Sequence, residues 1–464
     1  MLAWLRKSPD WLLILDNVDS PAAQTAVQAL ATPLPHGKLL ITSRLAAWPT
    51  GFAALDLDVL SPAASVKLLT DHTDGFRIPD PDEAAAAAEI ARLVDGLALA
   101  LEQAAAHIRK IRCSFATYLK KWREAETRLL ADYHLRGIGD YHAPVPGQQP
   151  LEDLPRSLCV TFDASFRQLE PPARHLLRLL AWLAPDPMPV AHLEALDALP
   201  AAAETLAELA ELLLIRYSAD NRAFAVHRLI QEIVRREQTE DPPPPLREAL
   251  EWVDGMYVGD PQDVRTWELL SPLTPHAVAV ATFAADRAIP EPSASLLSLA
   301  ALLLNTRADH RAAEPLYRRT LAINEQTRGP DHPIVATCLN NLALLLLATN
   351  RLAEAEPLMR RALAIDEASF GPDHPNVAIR LNNLTGLLHA THRHADAEPL
   401  MRRHLEIFLN FTRATGHPHP HLQDAMRNYR RLLEGMGRNG EEIESELSAL
   451  VGRYGVDLSG AGGG

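Results

Sequence analysis

Little in this chain is built for a strongly basic ligand, a membrane or a disulfide framework. Aromatic residues are only 5% of the 464, so aliphatic side chains must supply most of the core. Lys and Arg total 45 against 59 Asp and Glu, a formal net charge of −14. A phosphate-backbone ligand calls for a Lys/Arg surplus, so nucleic acid is not the expected partner. The three cysteines, Cys113, Cys159 and Cys338, lie far apart without metal-ligand spacing, which fits a reducing compartment. No apolar run reaches the roughly 18 residues of a membrane span. Residues 1–7 also lack the apolar stretch of a signal peptide, so no membrane partner and a cytoplasmic location are expected.

What is abundant is alanine, leucine and repetition. Ala and Leu lead the helix propensities, and the length allows three or so compact units. Glu314-Pro315 recurs as Glu356-Pro357 and Glu398-Pro399, each step 42 residues. Gly329-Pro330-Asp331-His332-Pro333 recurs at the same step, from Gly371 to Pro375. Residues 314–355 and 356–397 are identical at 27 of 42 positions. Such a period marks a stacked supersecondary unit, because one unit cannot bury its apolar face alone. Within a unit the pattern predicts helix A over 376–390 and helix B over 394–408. Leu381, Leu384, Leu387 and Leu388 share one face of helix A. The Gly ends one helix B, and the Pro opens the next helix A. A degenerate fourth unit follows at a spacing of 45, with the extra residues expected in the loop.

The N-terminal part reads differently. Residues 11–15, Trp-Leu-Leu-Ile-Leu, and 38–44 carry unbroken apolar runs separated by a short helix over 22–31. Buried parallel strands have this signature. A weaker third strand is expected at 54–60. Helical patterns follow from Ser61, then a Gly/Pro linker, then helices with a ribbon at 212–217 and 223–226. The run Asp241 to Pro245 reads as a stiff spacer.

On its Leu-Asn-Asn-Leu and Ala-Glu-Pro-Leu-Met-Arg-Arg elements, the array resembles tetratricopeptide repeats of the 42-residue type found in kinesin light chains. The N-terminal half resembles the back part of an NB-ARC domain, the switch ATPase of the STAND class, with its winged helix. Four segments carry that second resemblance: a strand ending in Asp16, Thr42-Ser43-Arg44, Asp95-Gly96-Leu97-Ala98-Leu99-Ala100, and Val226-His227-Arg228-Leu229. The resemblance implies that Asp16 is the Walker B acid holding Mg²⁺ and that Arg44 senses the γ-phosphate. It also implies that the Gly96 motif binds the nucleotide, its proline position lying against the adenine, and that His227 reaches the ADP β-phosphate. The chain departs from the family at Asn17, where a second acid is usual, and at Ala98, where the family has proline. No Gly-x-x-x-x-Gly-Lys-Ser/Thr segment occurs in the 464 residues, so the phosphate-wrapping loop would lie upstream of residue 1. ATP hydrolysis by this chain alone is not expected.

The sequence therefore predicts a mainly α chain. A partial α/β P-loop NTPase remnant occupies 1–60 and a helical subdomain 61–136. A linker covers 137–153, a winged-helix-like domain 154–240 and a degenerate repeat 246–290. The repeat array is expected over 291–435, and a terminal helix with a flexible tail over 436–464. The leading function is a protein-interaction scaffold or sensor in signalling, taking a protein or peptide in the repeat groove, with homo-oligomers in view. The paired amides Asn340, Asn341, Asn382 and Asn383 are the groove candidates, either clamping a peptide backbone or bridging helices. The alternative is an ADP/ATP switch using Asp16, Arg44, Gly96 and His227 with Mg²⁺, its phosphate-wrapping loop lying upstream of residue 1 or supplied by a partner. A third reading has the winged helix bind DNA through Arg228, Arg235 and Arg236, against the net charge. Alternating histidines at His392 and His394, and at His417, His419 and His421, read as polar loop composition rather than metal ligands.

Overall fold

The structure, a computed structural model, describes residues 4–5, 8, 10–15, 18, 21–31, 37–43, 48–49, 51–52, 59–136, 156–195, 202–238 and 240–455. The chain divides into two compact units, residues 1–60 and 61–464. In the first, β1 (Leu12–Leu15) and β2 (Lys38–Ile41) pair in parallel, Leu12 opposite Lys38 and Leu15 opposite Ile41, joined through α1 (Pro21–Ala31). Gly37 sets up β2 with φ +96, and a Cβ there would run into the Trp11 indole, so both conformation and space require glycine. The third strand expected at 54–60 falls mostly outside the described residues.

The second unit opens with α2 (Pro62–Thr73), capped by Ser61, whose Oγ accepts from Ala64 N at 3.3 Å. Helices α3 (Glu83–Leu93), α4 (Ala98–Ile111), α5 (Phe115–Arg136) and α6 (Arg156–Phe166) pack around Leu101, Ile108, Tyr118 and Phe162, all fully buried. After α7 (Pro171–Leu180), a three-stranded antiparallel sheet forms from β3 (Met188–Pro189), β4 (Ile215–Tyr217) and β5 (Ala223–Val226), in the order β3-β5-β4. Helices α8 (Ala202–Glu211) and α9 (Arg228–Glu237) belong to the same module. The ribbon starts later than the sequence predicts: 212–214 turn, with Leu213 at φ 53, before β4 begins.

The remainder is helical. Helices α10 (Pro244–Met256) and α11 (Trp267–Asp286) lead into four pairs. These are α12 (Ser293–Thr306) with α13 (His310–Arg328), α14 (Pro333–Ala348) with α15 (Leu352–Phe370), α16 (Pro375–Ala390) with α17 (His394–Thr415), and α18 (Leu422–Gly435) with α19 (Gly440–Tyr454). Each helix packs on the next, so one apolar core runs along the array through Leu342, Leu346, Leu384, Leu388 and Tyr429. Leu381, Leu384, Leu387 and Leu388 are all fully buried, as their spacing predicts.

Two expectations need correction. The spacer at 241–245 is not wholly a spacer: Pro244 and Pro245 open α10, where the missing N–H costs nothing. The three extra residues of the last repeat lie in a helix, not in the loop. Helices α13 and α15 have 19 residues and α17 has 22, each ending at a glycine (Gly329, Gly371, Gly416). Three residues approximate one helical turn, so the added length leaves the buried stripe nearly in phase.

Candidate functional site

The first helices of three successive pairs, α12, α14 and α16, present a stripe to solvent that repeats in register. On α14 it is Thr337, Asn341, Leu344 and Ala348; on α16 it is Ile379, Asn383, Gly386 and Ala390. Both stripes are uncharged. Across them the amides form a ladder. Asn383 Nδ2 donates to Asn340 Oδ1 at 2.8 Å, and Asn428 Nδ2 donates to Asn382 Oδ1 at 3.0 Å. The first amide of one repeat thus accepts from the second amide of the next. Asn340 is nearly buried, Asn382 and Asn383 are half-buried, and Asn341 is half-exposed without a side-chain partner among the described residues. These bonds bridge helices and leave amide donors and acceptors over along the stripe.

Across residues 293–415, charge is concentrated on the second helices and the turns that open them. Arg351 Nη1 donates to Glu314 Oε2 at 2.7 Å, and Arg393 Nη1 to Glu356 Oε2 at 2.8 Å, one repeat later. The Arg360 guanidinium, opposed by partial burial and helped by Arg393, holds the Glu356 carboxyl below its ordinary value. The second arginine of each pair reaches back to the preceding helical pair: Arg319 to Asp286, Arg361 to Glu325, Arg403 to Glu367. Half of the arginines in these Arg-Arg pairs thus clasp neighbouring helical pairs.

The histidine of Gly-Pro-Asp-His-Pro has a task that spacing alone did not reveal. His332 Nδ1 accepts from Ile334 N at 3.2 Å and His374 Nδ1 from Asn376 N at 3.1 Å, capping α14 and α16. His419 Nδ1 accepts from His421 N in the same way, and its ring stacks on Phe408 with centroids 4.3 Å apart. The signal was present in the sequence as a polar residue immediately before Pro at a helix start. Among the described residues no group of three or more His, Cys, Asp or Glu is arranged to hold a metal ion. No described helix is long and apolar enough to cross a membrane.

Of the residues assigned to a nucleotide, Asp16 and Arg44 lie outside the described residues, as does Asn17. Gly96 follows Asp95 in the turn between α3 and α4, both at positive φ (65 and 51), with Gly96 N donating to Ala91 O at 3.2 Å. His227 caps α9, its Nδ1 accepting from Leu229 N at 3.2 Å, which places the proton on Nε2. Burial, then Arg228 and Arg216, depress its pKa below the usual histidine value. In the basic strip, the Arg235 side chain, 9% exposed, lies over the Phe283 ring at 4.9 Å and Arg236 pairs with Glu232 at 2.7 Å.

Comparison with known proteins bears on the array most directly. The family model "Tetratricopeptide repeat" matches residues 292–368 and 351–410. No curated protein matches. Among solved structures, a kinesin-light-chain-type protein of Podosopora anserina with nearly identical TPR-like repeats is 19% identical. It covers 48% of this chain and 92% of its own, with a TM-score of 0.32. BtubC (BKLC) of P. vanneervenii is 20% identical over 57% of this chain and 84% of its own, with a TM-score of 0.31. A STAND protein with a tetratricopeptide repeat sensor from Pyrococcus horikoshii is 13% identical over 94% of this chain and 73% of its own, with a TM-score of 0.35. The helical pairs, their 42-residue step and the family match agree that residues 292–410 are tetratricopeptide repeats.

Proposed function

We propose that this chain is an interaction scaffold or sensor whose array takes a protein segment along the uncharged stripe of α12, α14 and α16. One observation carries the reading: the stripe is in register from repeat to repeat, while the arginines and glutamates are spent on clasps between second helices. An extended segment rich in free backbone groups and poor in charge fits such a surface, with Asn341, Asn382 and Asn383 as its amide contacts, while the buried Asn340 serves the ladder between helices. The residue order before the array supports a signalling protein of the STAND type, with a nucleotide-domain-like unit over 1–60 and a winged helix over 154–240. Homo-oligomerisation belongs to that reading.

A photo-crosslinking residue in place of Leu344 should capture partner chains, whereas the same probe in place of Arg318, on a second helix, should not. Equal capture from both positions overturns the reading. The alternative, a nucleotide switch using Asp16 with Mg²⁺, Arg44, Gly96 and His227, draws on one observation: the His227 cap occupies Nδ1 and leaves Nε2–H to donate. Its test is the nucleotide content of the purified chain. Near-stoichiometric ADP on denaturation supports the switch, and folded but nucleotide-free protein supports the scaffold alone.

A further inference from the structure

We propose that the turn between α16 and α17 binds a divalent transition-metal ion through the imidazoles of His389 and His394. The two best-matched repeats, identical at 27 of 42 positions, differ at the remaining 15. Three of those differences introduce histidine: His389, His392 and His394 replace Leu347, Asn350 and Leu352. All three fall at one turn. His389 lies in the last turn of α16, His392 is the left-handed turn residue at φ 56, and His394 opens α17. The Nδ1 atoms of His389 and His394 stand 3.2 Å apart with ring centroids at 4.7 Å, and the His392 ring lies 6.1 Å from that of His394.

Local packing does not call for these residues. Leu347 packs half-buried against the array core in the preceding repeat, and Leu352 is half-buried too, so the exchange gives up apolar contact. Only His392 has a backbone reason, since its left-handed turn is made equally well by Asn350 at φ 60. Arg393, beside them, is committed to Asp396 and Glu356. Among the described residues neither ring of the pair has another side-chain hydrogen-bond partner.

The separation suits a shared ion. Two nitrogens 3.2 Å apart, each about 2.05 Å from zinc, subtend about 100° at the metal, close to tetrahedral. Imidazole nitrogen suits Zn²⁺, Ni²⁺ and Cu²⁺, and hard cations such as Mg²⁺ prefer oxygen. The site is a two-nitrogen one, with water completing the sphere and His392 at its edge. Binding requires both protons on Nε2, so both lone pairs face the ion, and acid competes for the same lone pairs.

Calorimetric titration of the full chain with zinc chloride and with nickel chloride near neutral pH tests this. One equivalent should bind, and zinc should raise Tm. The double variant H389L/H394L restores the leucines of the preceding repeat, so it keeps the fold, checked by far-UV circular dichroism, and should lose both effects. The variant H417A/H421A should retain them. No binding to the parent chain overturns the proposal, as does unchanged binding in H389L/H394L or loss confined to H417A/H421A.

Discussion

Arg380 Nε donates to Asp366 Oδ2 at 2.8 Å inside the array, where the carboxylate side chain is 1% exposed. The preceding repeat holds Asn324 and Cys338 at the same two places, with Asn324 Nδ2 donating to Cys338 Sγ at 3.7 Å. The two residues have changed together, an amide–thiol pair for an ion pair. Arg380 Nη2 also donates to Thr337 Oγ1 at 3.0 Å, which ties the pair back to α14.

The single change R380C should therefore be costly, because it leaves Asp366 buried without its cation. A loss of about 3–5 kcal/mol is expected. The double change D366N/R380C installs the neighbouring repeat's pair and should recover most of that loss. Urea denaturation of the two variants measures the difference, and equal destabilisation would contradict the pairing.

The amide ladder separates stability from binding. Asn383→Ala removes the donor to Asn340 Oδ1, in a nearly buried side chain, and should cost about 1–2 kcal/mol in the same denaturation assay. Asn341→Ala, at the half-exposed stripe, should change stability by less than about 0.5 kcal/mol. It should nonetheless weaken capture of the partner at Leu344.

Acid should destabilise the chain before most carboxylates protonate. Burial pushes the His107 pKa down to about 3, with Lys121 and Lys110 adding to it, and burial also lowers His276 and His404. A histidine with a depressed folded pKa binds its proton in the unfolded chain first. Its neutral-state stability is present above the unfolded value of about 6.5 and declines as pH falls toward the folded value. The slope is at most about 1.4 kcal/mol per pH unit for each such residue. His107→Gln should flatten the fall in stability between pH 6.5 and pH 5, as followed by denaturation at a series of pH values.

The junction between the sheet module and the array is a stack of cations and rings. Arg235 lies over Phe283 and Arg287 over Trp182, each at 4.9 Å, and the two rings meet edge to face at 5.4 Å. Phe283→Ala should cost about 3–5 kcal/mol. It should also open the chain near 238–243 to limited proteolysis. Unchanged proteolysis would show that the stack does not hold the two parts together.

Much of the fold was legible because its signals are local. Helix faces, glycine caps and proline starts are written within four or five residues of one another, so the 42-residue step and the buried leucines follow from reading along the chain. The Ser61 cap, the parallel β1–β2 pair and the helical pairs around 333–415 correspond to such signals. The helix lengthened in the last repeat was also readable, since the extra residues precede Gly416, but a loop is the usual place for an insertion.

The candidate sites were less legible. The paired asparagines stand out in the sequence, yet only stacking shows that the first of one repeat meets the second of the next. His389 lies three residues before His392 and five before His394, and a left-handed turn folds it back against them.

The sequence by itself determined the period, the apolar faces and the turns, because helix formation and capping depend on neighbours along the chain. Only the tertiary structure decided which arginine clasps which glutamate, how Asp366 finds Arg380, and where the histidines converge. Those contacts join residues 14 to 43 apart in the clasp, the ion pair and the ladder. Their pairing is set by the offset between stacked helices, which no single repeat encodes.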